Sequence, residues 1–190
     1  MKTIETRRLI LRDFTLDDLV AFNHYATNPD VGPNAGWKPH ENLEESQKIL
    51  EMFIREQEVW AIENKETKEL MGSIGLHHDG TRALPTCRSI GYVLSKDFWG
   101  HGFATEATQA ILNYAFEDAG LTLVTISHYP YNKRSERVIE KCGFHYEGTL
   151  RGASKLYDQT IVDSCSYSMT KDEYCKLKKV ITSDNNYPPA

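Results

Sequence analysis

The sequence contains no long apolar run. Nowhere in its 190 residues does a stretch approach the ~18 consecutive apolar residues that a membrane helix needs. The opening residues, MKTIETRRLILRDF, carry charges throughout and lack the apolar segment of a secretion signal. We therefore expect a cytoplasmic protein that has no membrane partner.

Cysteine is scarce, and positive charge is in deficit. The 4 cysteines form no CxxC pair and stand near no histidine at metal-ligand spacing, which argues against a disulfide framework or a zinc site and predicts reduced thiols and no metal. Lysine and arginine number 22 against 27 acids, for a net charge of −5. This balance argues against a nucleic-acid partner held by general electrostatics and is compatible with a cationic amine or a basic peptide.

A chain of 190 residues is long enough for one domain with a sizeable core and short for two. We expect a single domain over residues 1–182. The polar, proline-containing end, residues 183–190, is expected to form a disordered tail.

Apolar periodicity and helix-capping residues predict an α/β order: strand, helix, helix, three strands, helix, strand, helix, two strands and a last helix. The strands are expected over residues 3–14, 59–64, 69–77, 88–95, 121–128, 145–151 and 160–170. The helices are expected over residues 16–25, 43–57, 103–119, 133–142 and 171–180. This order predicts one mixed sheet with helices on both faces.

A glycine-rich turn joins the fourth of these strands to the central helix. Gly100 and Gly102 lack the Cβ atoms that would keep an anion away from the backbone at the start of this helix. A helix N-terminus presents unpaired N–H groups and a partial positive charge, so the turn predicts a phosphate cradle made of backbone. Glycines that serve only close packing are the alternative.

Two common phosphate motifs do not fit this turn. A Walker-type loop needs Lys-Ser or Lys-Thr after its last glycine, where this chain has Phe103 and Ala104. A dinucleotide fingerprint needs a third glycine, where Thr105 stands, and an acid about 20 residues further on. A nucleotide-phosphate binder is therefore disfavoured.

The turn instead resembles the [QR]xxGx[GA] loop of the GNAT superfamily of N-acetyltransferases, with Trp99 where Gln or Arg is usual. FWGHGFATEA is similar to the ribosomal-protein N-acetyltransferase (RimJ/RimL-like) branch. The segment that begins at Asn132, NKRSERVIEKCGF, resembles the NxxSxxVxEKxGF segment of the acetyltransferases. GFHYEGTLR, DSCSYSM and the opening TRRLILRDFTLDDL match the same branch, so the resemblance covers about residues 6–169.

The resemblance implies the GNAT fold, a mixed and mostly antiparallel twisted sheet of about seven strands with helices on both faces. It implies acetyl-CoA as co-substrate, no metal, and acetyl transfer to a primary amine by direct attack in a ternary complex. Backbone amides would hold the pyrophosphate at Gly100, His101, Gly102, Phe103, Ala104 and Thr105. The backbone of Tyr92, Val93 and Leu94 would pair with the pantetheine arm, an amide there would polarise the acetyl carbonyl, and Asn132 would bind the arm.

The general acid of many relatives, a tyrosine seven residues after this asparagine, is replaced by Ile139. The remaining hydroxyl on that helix, Ser135, matches the proposed acid of similar Rim-type enzymes, and a plain helix residue is its alternative. For the base we prefer His77 over His78, with a surface histidine as the alternative. Glu106, in the first helical turn, is more simply explained by charge–dipole stabilisation.

The acceptor is the least defined part. Residues that could contact it are Trp37, Glu147, Asp163 and Tyr167, with core packing or core hydrogen bonding as the alternative for each. The basic run over residues 133–141 is first of all a solvated face, and one or two of its members could meet a CoA phosphate. The resemblance points to a protein N-terminus as acceptor; a small amine, amino acid or antibiotic, and a non-catalytic acyl-CoA-binding regulatory module, remain alternatives. A monomer and a homodimer are both compatible with the sequence.

Overall fold

The computed structural model describes residues 1–184. Within them lies one eight-stranded sheet in the order β1-β2-β3-β4-β5-β6-β8-β7. The strands are β1 (Ile4–Glu5), β2 (Leu9–Arg12), β3 (Val59–Asn64), β4 (Leu70–His78), β5 (Cys87–Leu94), β6 (Leu123–His128), β7 (His145–Lys155) and β8 (Ile161–Thr170). The helices are α1 (Leu19–Ala26), α2 (Leu43–Glu56), α3 (Phe103–Asn113), α4 (Lys133–Lys141) and α5 (Lys171–Asp184). β5 and β6 pair in parallel and the other neighbours pair antiparallel, which confirms the predicted mixed α/β fold.

The eighth strand comes from a break in the predicted first strand. The Leu9 amide donates to the Thr6 hydroxyl at 2.9 Å, and the Thr6 amide donates to the Leu9 carbonyl at 3.0 Å. These local bonds turn the chain between β1 and β2, so β1 folds back antiparallel to β2. A side chain that bonds its own backbone in this way competes with a continuous strand.

Helix starts follow the predicted caps in most places. Asn42 accepts a bond from the Glu45 amide at 2.9 Å before α2, and Asn132 caps α4. The chain after Thr15 forms a 3₁₀ turn, Leu16–Asp18, before α1, and α3 continues into a π-helical turn, Tyr114–Asp118. β7 extends beyond the predicted residue 151 to Lys155. Residues 183 and 184 end α5, and residues 185–190 of the predicted tail lie outside the described residues.

The core lies on both faces of the sheet. On one face α3 and α4 bury apolar side chains such as Ile111 and Ile139, and Phe116 stacks on Tyr174 of α5 at 5.0 Å between ring centroids. On the other face α1 and α2 pack Phe22 and Leu50 against the sheet. No helix in the described part of the chain is long and apolar enough to cross a bilayer.

The sheet splits at the end of β5. The parallel pairing of β5 with β6 ends at Ile90 and Ile126. Beyond this point the rest of β5 pairs with β4, and the end of β6 pairs with β8. Because the two central strands separate here, the edge of β5 that faces β6 is left open toward a cleft.

Candidate active site

Two cavities flank the split. The first, which we call the loop cleft, measures about 420 Å³ and lies among the end of β5, the glycine turn and the starts of α3 and α4. Predicted residues that line it are Tyr92, Val93, Leu94, Gly100, Gly102, Phe103, Ala104, Thr105, Asn132 and Ser135. His101 lies in the same turn but is not part of the lining.

The two glycines of the turn adopt a conformation that other residues avoid. Gly100 and Gly102 have φ of +81° and +80°, in the left-handed region that favours glycine. A Cβ on Gly100 would meet nothing within 4 Å, and a Cβ on Gly102 would meet only the Arg8 guanidinium at 3.6 Å. The glycines therefore shape the backbone and keep open the space in front of the N-terminus of α3.

A partly buried ion pair fixes the turn from behind. The Glu106 carboxylate accepts bonds from the Arg8 amide at 2.8 Å, from Arg8 Nε at 2.7 Å and from the Thr6 hydroxyl at 2.6 Å. Arg8 Nη1 donates to the His101 carbonyl at 3.0 Å, and the guanidinium covers the Phe103 ring at 4.4 Å. Burial opposes the charge on Glu106, but the bonds from Thr6 and Arg8 outweigh it and lower the pKa of Glu106.

Sequence reasoning gave Arg8 no role and explained Glu106 by the helix dipole. The structure adds three specific donors to that explanation. Arg8 belongs to the opening segment TRRLILR, which carries part of the family resemblance, and this membership is the sequence signal for the residue.

Cations border the loop cleft on the side of α4. The Arg134 guanidinium lies over the Trp99 ring at 4.0 Å, and the Trp99 indole N–H donates to the Leu94 carbonyl at 2.9 Å. Arg137 and Lys141 also line the cleft. The remaining member of the basic run, Lys133, pairs with Glu136 at 2.8 Å. Three of the four predicted basic residues thus border a cavity rather than a wholly solvated face.

The second cavity, which we call the aromatic cavity, measures about 680 Å³ and lies between the sheet and the α1–α2 pair. The helices and their connecting loop contribute Phe22, Trp37, His40, Met52 and Phe53. The sheet contributes polar side chains, which include Ser73, His77, Ser89 and Ser127. One wall is thus largely aromatic and the other carries hydroxyl and imidazole groups.

The two cavities meet at the start of α4. Asn34, Ala35, Tyr92, Val93, Asn132 and Ser135 line both of them. The hydroxyls of Ser135 and Tyr92 are hydrogen-bonded at 3.0 Å. Burial raises the pKa of Tyr92 to about 12, against the opposite effect of the bond to Ser135, so the phenol is protonated at neutral pH.

Asn132 holds this junction together. Its side-chain oxygen accepts from the Ser135 amide at 3.1 Å, and its side-chain nitrogen donates to the Asn34 carbonyl at 3.1 Å. The helix-cap role expected from the sequence is therefore present, and the same side chain also ties α4 to the 3₁₀ turn Gly32–Ala35. Ile139, at the place of the usual tyrosine, is fully buried.

His77 lies on the sheet wall of the aromatic cavity. A Cβ on Gly75 would come within 2.2 Å of His77 Nε2, so the ring lies across the space that this glycine leaves free. Its Nδ1 is 3.4 Å from the Glu58 carboxylate. The exposed His78 also contributes to the lining, so strand alternation does not separate the two histidines at the end of β4.

The four predicted acceptor residues are not brought together. Trp37 lines the aromatic cavity. Tyr167 lies behind the cavity, with its hydroxyl 3.3 Å from Nε2 of the lining residue His128. Glu147 forms an ion pair with Arg82, and Asp163 accepts from the Gly152 amide at 2.8 Å. Neither carboxylate is part of the lining of either cavity.

Comparisons with known proteins agree with this geometry. Residues 8–145 match the family described as "Acetyltransferase (GNAT) domain". The chain is 32% identical over 174 residues to the uncharacterized N-acetyltransferase YoaA of Bacillus subtilis. This aligned region covers 88% of this chain and 96% of that protein. A GNAT-family acetyltransferase from Bacillus anthracis superposes with a TM-score of 0.82 at 24% identity, over 90% of this chain and all 100% of the other.

The fold is also that of an enzyme named for a ribosomal substrate. The ribosomal-protein-S5-alanine acetyltransferase of Vibrio fischeri superposes with a TM-score of 0.73 at 18% identity, over 92% of this chain and 99% of the other. At this identity the likeness concerns the fold alone. By the matched domain and the extent of its relatives, the chain belongs to the GNAT family of N-acetyltransferases, whose members use acetyl-CoA as co-substrate.

Proposed function

We propose that the protein transfers the acetyl group of acetyl-CoA to a primary amine by direct attack within a ternary complex, and that the acceptor is a protein N-terminus. The observation that carries the proposal is the meeting of two cavities at Tyr92, Val93 and Ser135. A donor in one cavity and an acceptor in the other would react at this junction. Holding both in contact supplies much of the rate enhancement in such a reaction.

The loop cleft suits the donor. The open space at Gly100, the N-terminus of α3 and the cations Arg134, Arg137 and Lys141 fit a pyrophosphate with a further phosphate. The open edge of β5, from Tyr92 to Leu94, offers backbone groups to the pantetheine amides, with Asn132 opposite. Acetyl-CoA, when bound, supplies the acetyl group as a thioester.

Ser135 is proposed as the general acid. As the amine nitrogen bonds to the acetyl carbon and the carbon–sulfur bond breaks, the Ser135 hydroxyl gives its proton to the sulfur. The Tyr92 hydroxyl, protonated at neutral pH and 3.0 Å away, can then pass a proton from water to Ser135, so that both hydroxyls end the step protonated. A backbone amide at the end of β5 would polarise the acetyl carbonyl.

His77 is proposed as the group that accepts the proton lost by the amine, directly or through water. It lies on the sheet wall of the aromatic cavity, and Glu58 is within reach of its other ring nitrogen. Trp37 is proposed to contact the acceptor. Tyr167 would act on the acceptor only through His128.

A small amine is the second candidate acceptor, because a cavity of about 680 Å³ has the size of a small-molecule site. We extend the proposal to a cytoplasmic protein that acts as a monomer or homodimer without metal. The four cysteines are unpaired, which fits a reducing compartment.

The test is thiol release from acetyl-CoA in the presence of pooled amines and of short peptides that begin with Ser, Ala or Asp. CoA binding is followed in parallel by calorimetry. Turnover on a peptide would support the full proposal, and turnover on small amines alone would favour the second candidate. CoA binding without turnover on any amine would contradict an enzyme and would favour a regulatory acyl-CoA-binding module.

A further inference from the structure

The aromatic cavity has a continuous wall of rings on the side of α1 and α2. Phe22 lies edge-to-face with Phe53 at 5.8 Å between centroids and with His40 at 5.7 Å, and Trp37 lies 5.3 Å from His40. Met52 of α2 adds an apolar side chain beside them. Such a wall offers contact to an apolar or ring-shaped group and little to a hydrated one.

Negative charge is missing from this cavity even though the protein is acidic overall. Among the described residues that line it, none is Asp or Glu. The acids expected to meet the acceptor, Glu147 and Asp163, are engaged elsewhere. Asp18, on the turn before α1, is bonded to Arg12 at 2.8 Å. Although the net charge of the chain is −5, no carboxylate among the described lining residues could therefore pair with a cationic acceptor.

The imidazole groups of the cavity wall do not supply a negative charge that could pair with a cationic acceptor. His40 Nδ1 is 2.8 Å from the Ser46 hydroxyl, and burial lowers the pKa of His40, which favours its neutral form. The Glu58 carboxylate lies 3.4 Å from His77 Nδ1, and Glu58 is not part of the cavity lining. A second ammonium or a guanidinium on the acceptor would lose its water here without a partner, which is costly.

Most polar side chains of the cavity lie on the sheet side and at the junction with the loop cleft, among them Ser73, His77 and Ser135. On the helix side, the His40 ring is bonded to Ser46. An acceptor would thus present its amine to the sheet side and its remaining bulk to the rings. This orientation also brings the nitrogen toward Ser135, where the two cavities meet.

We infer that the acceptor is a primary amine whose neighbouring group is apolar and of ring size, and which carries no second positive charge near the amine. This inference rests on the proposed function and narrows it: an N-terminus that begins with an aromatic or large aliphatic residue fits, and a polyamine or a lysine-rich terminus does not. The net charge of the chain is compatible with a cationic acceptor, but the lining of this cavity favours an acceptor without a second positive charge.

The test compares kcat/KM for matched amines in the thiol-release assay. Phenethylamine carries a ring and one amine; 1,4-bis(aminomethyl)benzene carries a ring and a second cation; propylamine has no ring. Peptide amides that begin with Phe, Lys or Ala and are otherwise identical repeat the comparison. The ring-bearing monoamine and the Phe peptide are expected to exceed the cationic ones by at least about tenfold.

A charge introduced into the wall distinguishes specificity from general damage. Met52 is half-buried in the lining, so Met52→Glu should shift the preference toward the diamine and the Lys peptide. Met52→Gln, which has the same length without the charge, should leave the preference for the ring-bearing monoamine in place.

The outcomes separate this inference from the function on which it rests. Equal or faster turnover of the diamine and the Lys peptide by the unaltered protein would overturn the inference and leave acetyl transfer intact. The same preference in Met52→Glu and Met52→Gln would also overturn it. Absence of thiol release with every amine, in a protein that binds CoA, would overturn the proposed function and this inference together.

Discussion

The Arg8 guanidinium joins the Glu106 carboxylate at 2.7 Å to the His101 carbonyl at 3.0 Å. Through this arrangement a residue just before β2 connects the first turn of α3 to the glycine turn that precedes it. The pair is partly buried, so removal of one partner leaves the other charge poorly solvated. The arrangement holds the backbone amides of the turn in one orientation before any ligand arrives.

Loss of the Arg8 contacts to Glu106 and His101 should weaken CoA binding. Arg8→Ala frees the His101 carbonyl and leaves Glu106 without its main partner, so we expect the Kd of CoA to rise about tenfold, the effect of losing about 1.4 kcal/mol. Calorimetric titration measures it. The exposed Arg7 is the matched control, because Arg7→Ala changes the net charge equally. Equal weakening in both variants would mean that Arg8 acts only through long-range charge.

The glycine turn can be tested with a pair of equally strained positions. Gly100 has φ +81° and Gly120 has φ +67°, and a Cβ on either would meet nothing within 4 Å. Alanine at either position should lower the free energy of unfolding by about 1–2 kcal/mol, the cost of a left-handed residue with a side chain. Only Gly100→Ala should also weaken CoA binding. If Gly120→Ala weakens it as much, the turn is not the phosphate cradle.

The hydroxyl pair at the junction should affect rate more than binding. Ser135→Ala is expected to lower kcat by about 10²-fold or more, in the range of general acid–base effects, with the Kd of CoA little changed. Tyr92→Phe should give a smaller loss, since Ser135 stays in place. The double variant should be no slower than Ser135→Ala alone, because the tyrosine acts through the serine. Additive losses would show that the two hydroxyls act separately.

The two histidines at the end of β4 should differ. His77→Gln is expected to lower kcat by about 10²-fold, because the ring over Gly75 is the proposed proton acceptor. His78→Gln is the control and should keep kcat within about twofold of the unaltered protein. Steady-state rates at saturating acetyl-CoA measure both. A larger effect at His78 would move the role of base to that residue.

Acid should destabilise the fold through Asp79. Burial disfavours the charge on Asp79, but bonds from Thr81, Thr125 and Arg82 outweigh it and hold the pKa of Asp79 below its ordinary value. A lowered folded pKa gives stability that is full above the ordinary carboxyl pKa of about 4 and is lost as pH falls below it.

Urea midpoints taken at neutral pH and at about pH 3, below the ordinary carboxyl pKa, measure this loss. Asp79→Asn should be less stable at neutral pH and should lose less on acidification. A loss of the same size in Asp79→Asn would assign the acid sensitivity to other carboxyls.

Local features of the site could be predicted from the sequence because they depend on neighbours in the chain. The glycine turn, the Asn132 cap and the placement of Ser135 on the first turn of α4 are of this kind. The break between β1 and β2 was missed. Three polar residues, 6–8, separate Ile4 from Leu9 and put the two out of phase, but the turn itself depends on the bonds between Thr6 and Leu9.

Contacts between distant segments could not be predicted in this way. Arg8 and Glu106 are 98 residues apart, so no spacing rule joins them. Glu147 and Asp163 were plausible acceptor contacts by residue type, yet the pairing of β7 with β8 and the ion pair with Arg82 direct them elsewhere. Tyr92 was assigned through its backbone alone, and its bond to Ser135 depends on the packing of α4 against the split sheet.

The most direct test of the account is thiol release from acetyl-CoA with phenethylamine or a Phe-initiated peptide, with the acetylated product identified by mass. Release equal in amount to the product, and slowed by about 10²-fold in a Ser135→Ala variant that still binds CoA, is the predicted result. No acetylated product with any amine, from protein shown to bind CoA, would contradict acetyl transfer at this junction.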